Sequence, residues 1–224
     1  MQQAQIGDEM SVQHLSVRRQ GARPGADHHP GPTLLRLVDL AAHMVRVVAL
    51  AGLVWSVVAG TWADVLVFTV VVVVVLVSRL TSLPRPVDLA VCVTWTVAGW
   101  ANVLGWYVVA PWVDIPVHAT APGATAAAVY LLLARAGLVA GLQDHDVRRS
   151  AIVVVTTAVG TTLAVWWEFY EWIVYHGVGP PVVGYGDTVL DLLMGTLSCV
   201  AAGLGLAAWS SAGWGTRRLP VRSR

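Results

Sequence analysis

Lysine is missing from the chain altogether: all fourteen basic residues are Arg. Charge of either sign is scarce, at 12% of 224 residues, where soluble domains carry about 25%. With 56% hydrophobic residues, that scarcity excludes an ordinary soluble domain. It also excludes a disordered chain, which has few apolar residues and much charge. A net charge of +1 leaves no footprint for nucleic acid. Cysteine occurs twice, as Cys92 and Cys199, each inside an apolar run, so no disulfide framework or CxxC zinc pattern is present. No apolar stretch follows Met1, and no cleaved signal peptide is expected. What is left is an all-α polytopic membrane protein, a helical bundle in the lipid bilayer.

Residues 1–33 are polar and aperiodic and read as a flexible cytoplasmic tail. The His28–His29 pair within it reads as bland rather than metal-binding. From Leu34 onward the chain is almost wholly apolar. A bilayer core asks for about 20 apolar residues per helix. Six stretches answer: 40–60, 63–79, 87–109, 114–138, 150–175 and 187–209. The organisation expected is a tail at 1–33, a transmembrane domain at 34–210 and an Arg-rich cytoplasmic tail at 211–224. The valine run Val70–Val75 would suggest a strand in water. In lipid a lone strand cannot satisfy its backbone, so a helix is expected.

Arg orients the spans. Arg18, Arg19, Arg23, Arg36 and Arg46 precede or open the first, Arg79 and Arg85 separate the second and third, and Arg135, Arg148 and Arg149 separate the fourth and fifth. Arg217, Arg218, Arg222 and Arg224 end the chain. Every Arg thus falls on alternate junctions, which the positive-inside rule places in the cytoplasm with both termini. Trp62, Trp106, Trp112, Trp166, Trp167 and Trp172 fall near the outer ends, as an aromatic belt would.

The outer half holds Asp64, Asp114, His118, Glu168, Glu171, His176, Asp187 and Asp191, and no Arg. Acids in a membrane without a basic partner must sit in water, hold protons or bind a cation. Asp114 and His118 are four apart, Glu168 and Glu171 three, Asp187 and Asp191 four, so each pair shares a helix face. All three pairs lie at similar depth. If their helices are neighbours, Asp114, His118, Glu168, Glu171, Asp187 and Asp191 converge on a set suited to a divalent metal: Zn, Mn, Fe, Mg or Ca. Asp114 and Asp187 have a simpler reading as helix caps, which does not exclude ligation. Glu168 and Glu171 resist such readings, because they close a helix at the end where its dipole disfavours negative charge. Asp64 reads as a solvated loop acid. His176 is either a further ligand or an interfacial residue. Asp39 and His43, with Arg36 and Arg46 near, read as a salt-bridged inner face. Gly177 to Gly186 reads as a turn-rich outer loop.

Three blocks carry a resemblance: Asp114–x–x–x–His118, Trp167–Glu168–Phe169–Tyr170–Glu171–Trp172, and Gly186–Asp187–Thr188–x–x–Asp191. In order and spacing they resemble the YjdF-like family of bacterial inner-membrane proteins, over residues 95–205. The family has no established function. The resemblance implies a small helical bundle with acidic and His residues on its outer side, in the bacterial plasma membrane. The chain departs from the family pattern at Ile115, Ala119 and Gly184. A looser similarity runs to VanZ-like membrane proteins, linked to envelope phenotypes.

Three functions stay open. A metal-dependent enzyme would act on a lipid or cell-envelope substrate at headgroup depth, with Glu171 as general base. An ion-coupled carrier would use the same acids and continue its polar path inward, where Thr156, Thr157, Thr161, Thr162, Thr196 and Ser198 are the candidates. A non-catalytic subunit would use the cluster to hold its helices together.

Overall fold

Apolar segments in lipid can satisfy their backbone only within themselves, and the described residues form helices without a strand. The structure, a computed structural model, describes residues 31–144, 147–178 and 184–218, with the backbone alone for 174–178. The tail with His28 and His29, the His176 side chain, loop residues 179–183 and residues 219–224 lie outside the described residues.

The helices are α1 (Pro32–Ala59), α2 (Trp62–Leu80), α3 (Arg85–Val103), α4 (Trp106–Val109), α5 (Asp114–His118), α6 (Ala121–Arg135), α7 (Arg149–Val178) and α8 (Tyr185–Ser211). The valine run lies inside α2, as expected. Thr61 caps α2 through a capping box, its amide donating to Asp64 Oδ2 at 2.7 Å while the Asp64 amide donates back to its hydroxyl. Asp64 is therefore a half-buried capping residue rather than a solvated loop acid.

Two expected spans are shorter than their apolar runs. The third was to reach residue 109, but α3 ends at Val103, and α4 follows a turn in which Gly105 takes a left-handed φ of 67°. The fourth was to run unbroken from 114. Instead a 3-10 turn (Pro111–Val113) leads into α5, and the chain breaks at Ala119–Thr120 before α6. Pro122 explains the break. It has no N–H to offer the carbonyl of His118 four residues back, and its ring would collide with that carbonyl. Hydropathy reports neither event.

Gly105 has open space where a Cβ would sit, so its φ is the sole obstacle to a side chain. Gly105→Ala is expected to lose about 1 kcal/mol. Gly184, also with open space but an ordinary φ of −92°, is the control. Thermal unfolding in detergent checks the pair, and equal behaviour of the two variants would contradict the assignment.

α1, α2 and α3 pack on one another, as do α6, α7 and α8; α3 packs on α6, and α5 on α8. One core lies among Ala49, Phe68, Val71, Val72, Val75 and Cys92. The other gathers Leu83, Val91, Ala127, Ala128, Tyr130, Leu131, Leu142, Ile152 and Leu206. Large apolar side chains also face outward, among them Val57, Val58, Leu66, Val154 and Leu204. Water disfavours such a surface and lipid does not.

Five stretches are long and apolar enough to cross a membrane: Pro32–Ala59, Trp62–Leu80, Pro111–Arg135, Arg149–Ile173 and Tyr185–Ser211. α3 is not among them; Arg85 and Asp88 occupy its first turn.

Those two residues belong to a buried ionic network. Asp88, fully buried, accepts from Arg46, from Arg218 and from the Ser78 hydroxyl at 2.8 Å. Asp39 accepts from Arg85 at 2.8 Å and from Arg218 at 2.7 Å. Asp39 was expected to pair with its helix neighbours. Its partners come instead from α3 and from the chain beyond α8, while Arg36 and His43 are exposed. Arg218 thereby ties the segment after α8 to α1 and α3.

Candidate functional site

Glu168 lies nineteen residues along α7 from Arg149, which at 1.5 Å per residue is about 28 Å. The acidic cluster and the Arg-rich network therefore occupy opposite ends of the bundle.

The cluster is assembled by three helices and a break. α5 ends at His118 because Pro122 interrupts the helical ladder, so His118 is carried by a single turn packed on α8. α7 and α8 are antiparallel neighbours joined by a short connection, which brings the end of one beside the start of the other. His118 is 5% exposed, Glu168 6% and Asp191 2%. Asp114 and Glu171 are half-buried.

His118 stands at the centre. Its Nε2 lies 3.3 Å from Asp114 Oδ1 and its Nδ1 3.8 Å from Glu168 Oε1. Two groups of donor atoms follow, Asp114 with His118 and Asp191, and His118 with Glu168 and Glu171; within each group the atoms lie within 4.8 Å of one another. Glu168 Oε2 is buried and has no hydrogen-bond partner among the described residues. No Arg or Lys occurs in 111–134 or 150–211, so beyond Arg149 no Arg or Lys of α5, α7 or α8 offsets these acids, and the basic side chain among them is that of His118.

Of the six residues expected to converge, five do. Asp187 is exposed and belongs to neither group. Capping does not account for the first-turn acids either. Val113 and Gly184 hold the cap positions of α5 and α8, and neither start has a side-chain cap bond.

One partner went unseen in the sequence. Trp167 Nε1 donates to Glu171 Oε1 at 2.8 Å. Its ring also meets that of Trp95 edge-on, with centroids 6.0 Å apart, and Trp95 Nε1 donates to the Thr125 hydroxyl at 3.0 Å. The signal was present in the spacing of 167 and 171, four apart on one helix face. Trp166 and Trp172, by contrast, are exposed, as belt residues would be.

Such an arrangement can bind a cation. Metal ligands about 2.1 Å from a common ion stand roughly 3–4 Å from each other. The Nδ1–Oε1 separation of 3.8 Å fits that spacing and is too long for a hydrogen bond. The Nε2 contact to Asp114 is the kind that holds the second nitrogen of a ligating His.

The model of one protein family, described as predicted membrane protein (DUF2238), matches residues 41–212. No curated protein and no solved structure matches the chain.

Proposed function

The chain belongs to that family of predicted membrane proteins, and from this premise we propose a multi-pass protein of the bacterial plasma membrane whose outer cluster binds a divalent metal and acts on a lipid or cell-envelope substrate. Both termini are cytoplasmic, and α3 completes six crossings. The alternation of Arg between junctions supports that topology. The three blocks at Asp114–His118, Glu168–Glu171 and Asp187–Asp191 support the finer YjdF-like reading.

One observation carries the metal. Glu168 is buried beside His118 with the Thr188 side chain near its carboxyl group, and its Oε2 accepts no well-formed hydrogen bond among the described residues. A buried carboxylate left so is costly, and a cation relieves the cost. His118, Glu168 and Glu171 are the nearest ligands, with Asp191 and Asp114 beside them. Asp114 holds the His118 ring through Nε2. A bound divalent ion would supply an activated water or polarise a phosphoryl or carbonyl oxygen. Glu171, fixed by Trp167, is the general base.

Elemental analysis of detergent-purified protein, prepared without chelator, tests this reading. Wild type is expected to carry a near-stoichiometric divalent metal, and Glu168→Gln with Glu171→Gln to lose it. Metal-free forms of both are expected to unfold at similar temperatures, which separates binding from a purely structural role. Metal-free wild type would overturn the reading.

A carrier is the second reading. Below Glu168 the hydroxyls of Thr161 and Thr196 meet at 3.4 Å, and those of Thr156 and Thr157 are buried without partners among the described residues. They extend the polar stripe inward. Metal or proton flux in proteoliposomes, abolished by Glu168→Gln, would favour this reading over catalysis.

A further inference from the structure

We propose that the Arg-rich end of the bundle binds the phosphate of an anionic phospholipid at Arg135 and Arg217. Arg46, Arg85 and Arg218 are each paired with Asp39 or Asp88. Arg36, Arg79, Arg148 and Arg149 are exposed, where water solvates them. Arg135 differs from both sets. It is half-buried, yet it joins none of the ion pairs among the described residues.

Three main-chain carbonyls hold its guanidinium in place. Nη1 donates to the Thr81 carbonyl, and Nη2 donates to those of Ser82, at 3.3 Å, and Thr216. Thr81 and Ser82 belong to the turn between α2 and α3, and Thr216 lies beyond α8. Ser82 has a left-handed φ of 53°, a conformation that a residue other than glycine keeps only where its surroundings impose it. The Arg218 amide donates to the same Ser82 carbonyl at 3.1 Å. Carbonyl dipoles fix a cation in position but leave its unit charge uncancelled. Nε is buried with no partner among the described residues, so the protein's own acceptors fall short of this side chain's donors.

The bond to Thr216 sets the next residue, Arg217, close enough to repel Arg135. Arg217 is exposed and also joins no described ion pair. A phosphate turns that repulsion into attraction, and the planar fork of a guanidinium suits it. Arg217 meets the phosphate, and Arg135 supplies a fixed charge behind it. The surroundings favour a lipid over free phosphate. Leu80, just before the turn, and Leu138, three residues past Arg135, are strongly exposed. Acyl chains cover such side chains, and water does not. Basic pockets between helices at a bilayer surface are where anionic headgroups bind.

Native mass spectrometry of the detergent-purified full chain tests the site, with phosphatidylglycerol and phosphatidylcholine of the same acyl chains as probes. Wild type is expected to retain one phosphatidylglycerol with a preference of about fivefold or more, the contribution of one Arg near an anionic surface. Arg217→Gln is expected to lose the preference. Arg148→Gln, which removes an exposed Arg from the same end, is expected to keep it. Equal retention of the two lipids by wild type would overturn the proposal, and so would equal losses in the two variants, which mark a diffuse charge. Displacement of the lipid by inorganic phosphate at equal concentration would overturn the lipid as the occupant. Should Arg217→Gln unfold below wild type, the wild-type preference and the phosphate competition decide alone. None of these outcomes depends on metal in the outer cluster.

Discussion

Asp88→Ala is expected to cost about 3–5 kcal/mol of stability, the range for removing one partner of a buried ion pair. Asp88 is fully buried and accepts from two guanidinium groups, those of Arg46 and Arg218, and from the Ser78 hydroxyl. Arg46 is itself 6% exposed, and its only other described acceptors are the Val75 carbonyl at 3.0 Å and the Ser78 hydroxyl at 3.4 Å. Without Asp88 a buried cation stays behind with nothing to offset it. Asp39 offers the comparison. Its side chain is 25% exposed, so its own pairs stand partly in water, and Arg218 keeps Asp88 when Asp39 is lost. Asp39→Ala is expected to cost about 1 kcal/mol, as pairs that water reaches are worth little. Thermal unfolding of the two variants in one detergent gives the ranking. Equal losses would show that Asp88 is not the centre of the network.

The second large effect comes from helix contact. A Cβ on Gly160 of α7 would stand 2.4 Å from Cys199 Sγ on α8 and 2.6 Å from the Ala126 Cβ on α6. Neither atom is the end of a flexible side chain. Gly160→Leu must therefore push two helices away from a third, at a cost of about 3 kcal/mol or more. In a membrane this matters further, because close backbone approach is what drives helices together there. Gly205→Leu is the control, since nothing lies within 4 Å of its Cβ position. In a helix the added side chain even gains about 0.8 kcal/mol of propensity. A loss confined to Gly160→Leu supports the three-helix contact. A similar loss at both positions would remove it.

The acidic pairs were legible because helix periodicity alone puts residues three or four apart on one face. Thus Asp114 and His118 meet at 3.3 Å. The same arithmetic placed Asp187 with Asp191, yet Asp187 is exposed. One turn of helix separates them along its axis, and in the first turn of α8 that turn is enough to leave the packed interior. Asp88 shows the opposite failure. Its helix neighbour of opposite charge, Arg85 three residues back, is at a suitable spacing but pairs with Asp39 of α1. Its partners lie 42 and 130 residues away, a separation that no local pattern encodes.

The sequence by itself determined the class of solvent and the class of structure. Scarce charge and long apolar runs leave a membrane protein, and a membrane leaves helices. It also placed Asp114, Glu168, Glu171, Asp187 and Asp191 at one end and Arg, with Asp39 and Asp88, at the other, because both facts follow from order along the chain. Tertiary structure decided which of these groups touch. His118 faces both Asp114 and Glu168 because Pro122 ends its helix and α5 packs on α8. Arg218 reaches Asp39 and Asp88 because the chain beyond α8 folds back under α1 and α3. Contacts between segments far apart in the chain depend on how helices cross and how closely they approach, and small residues such as Gly160 set that distance without any signature in hydropathy.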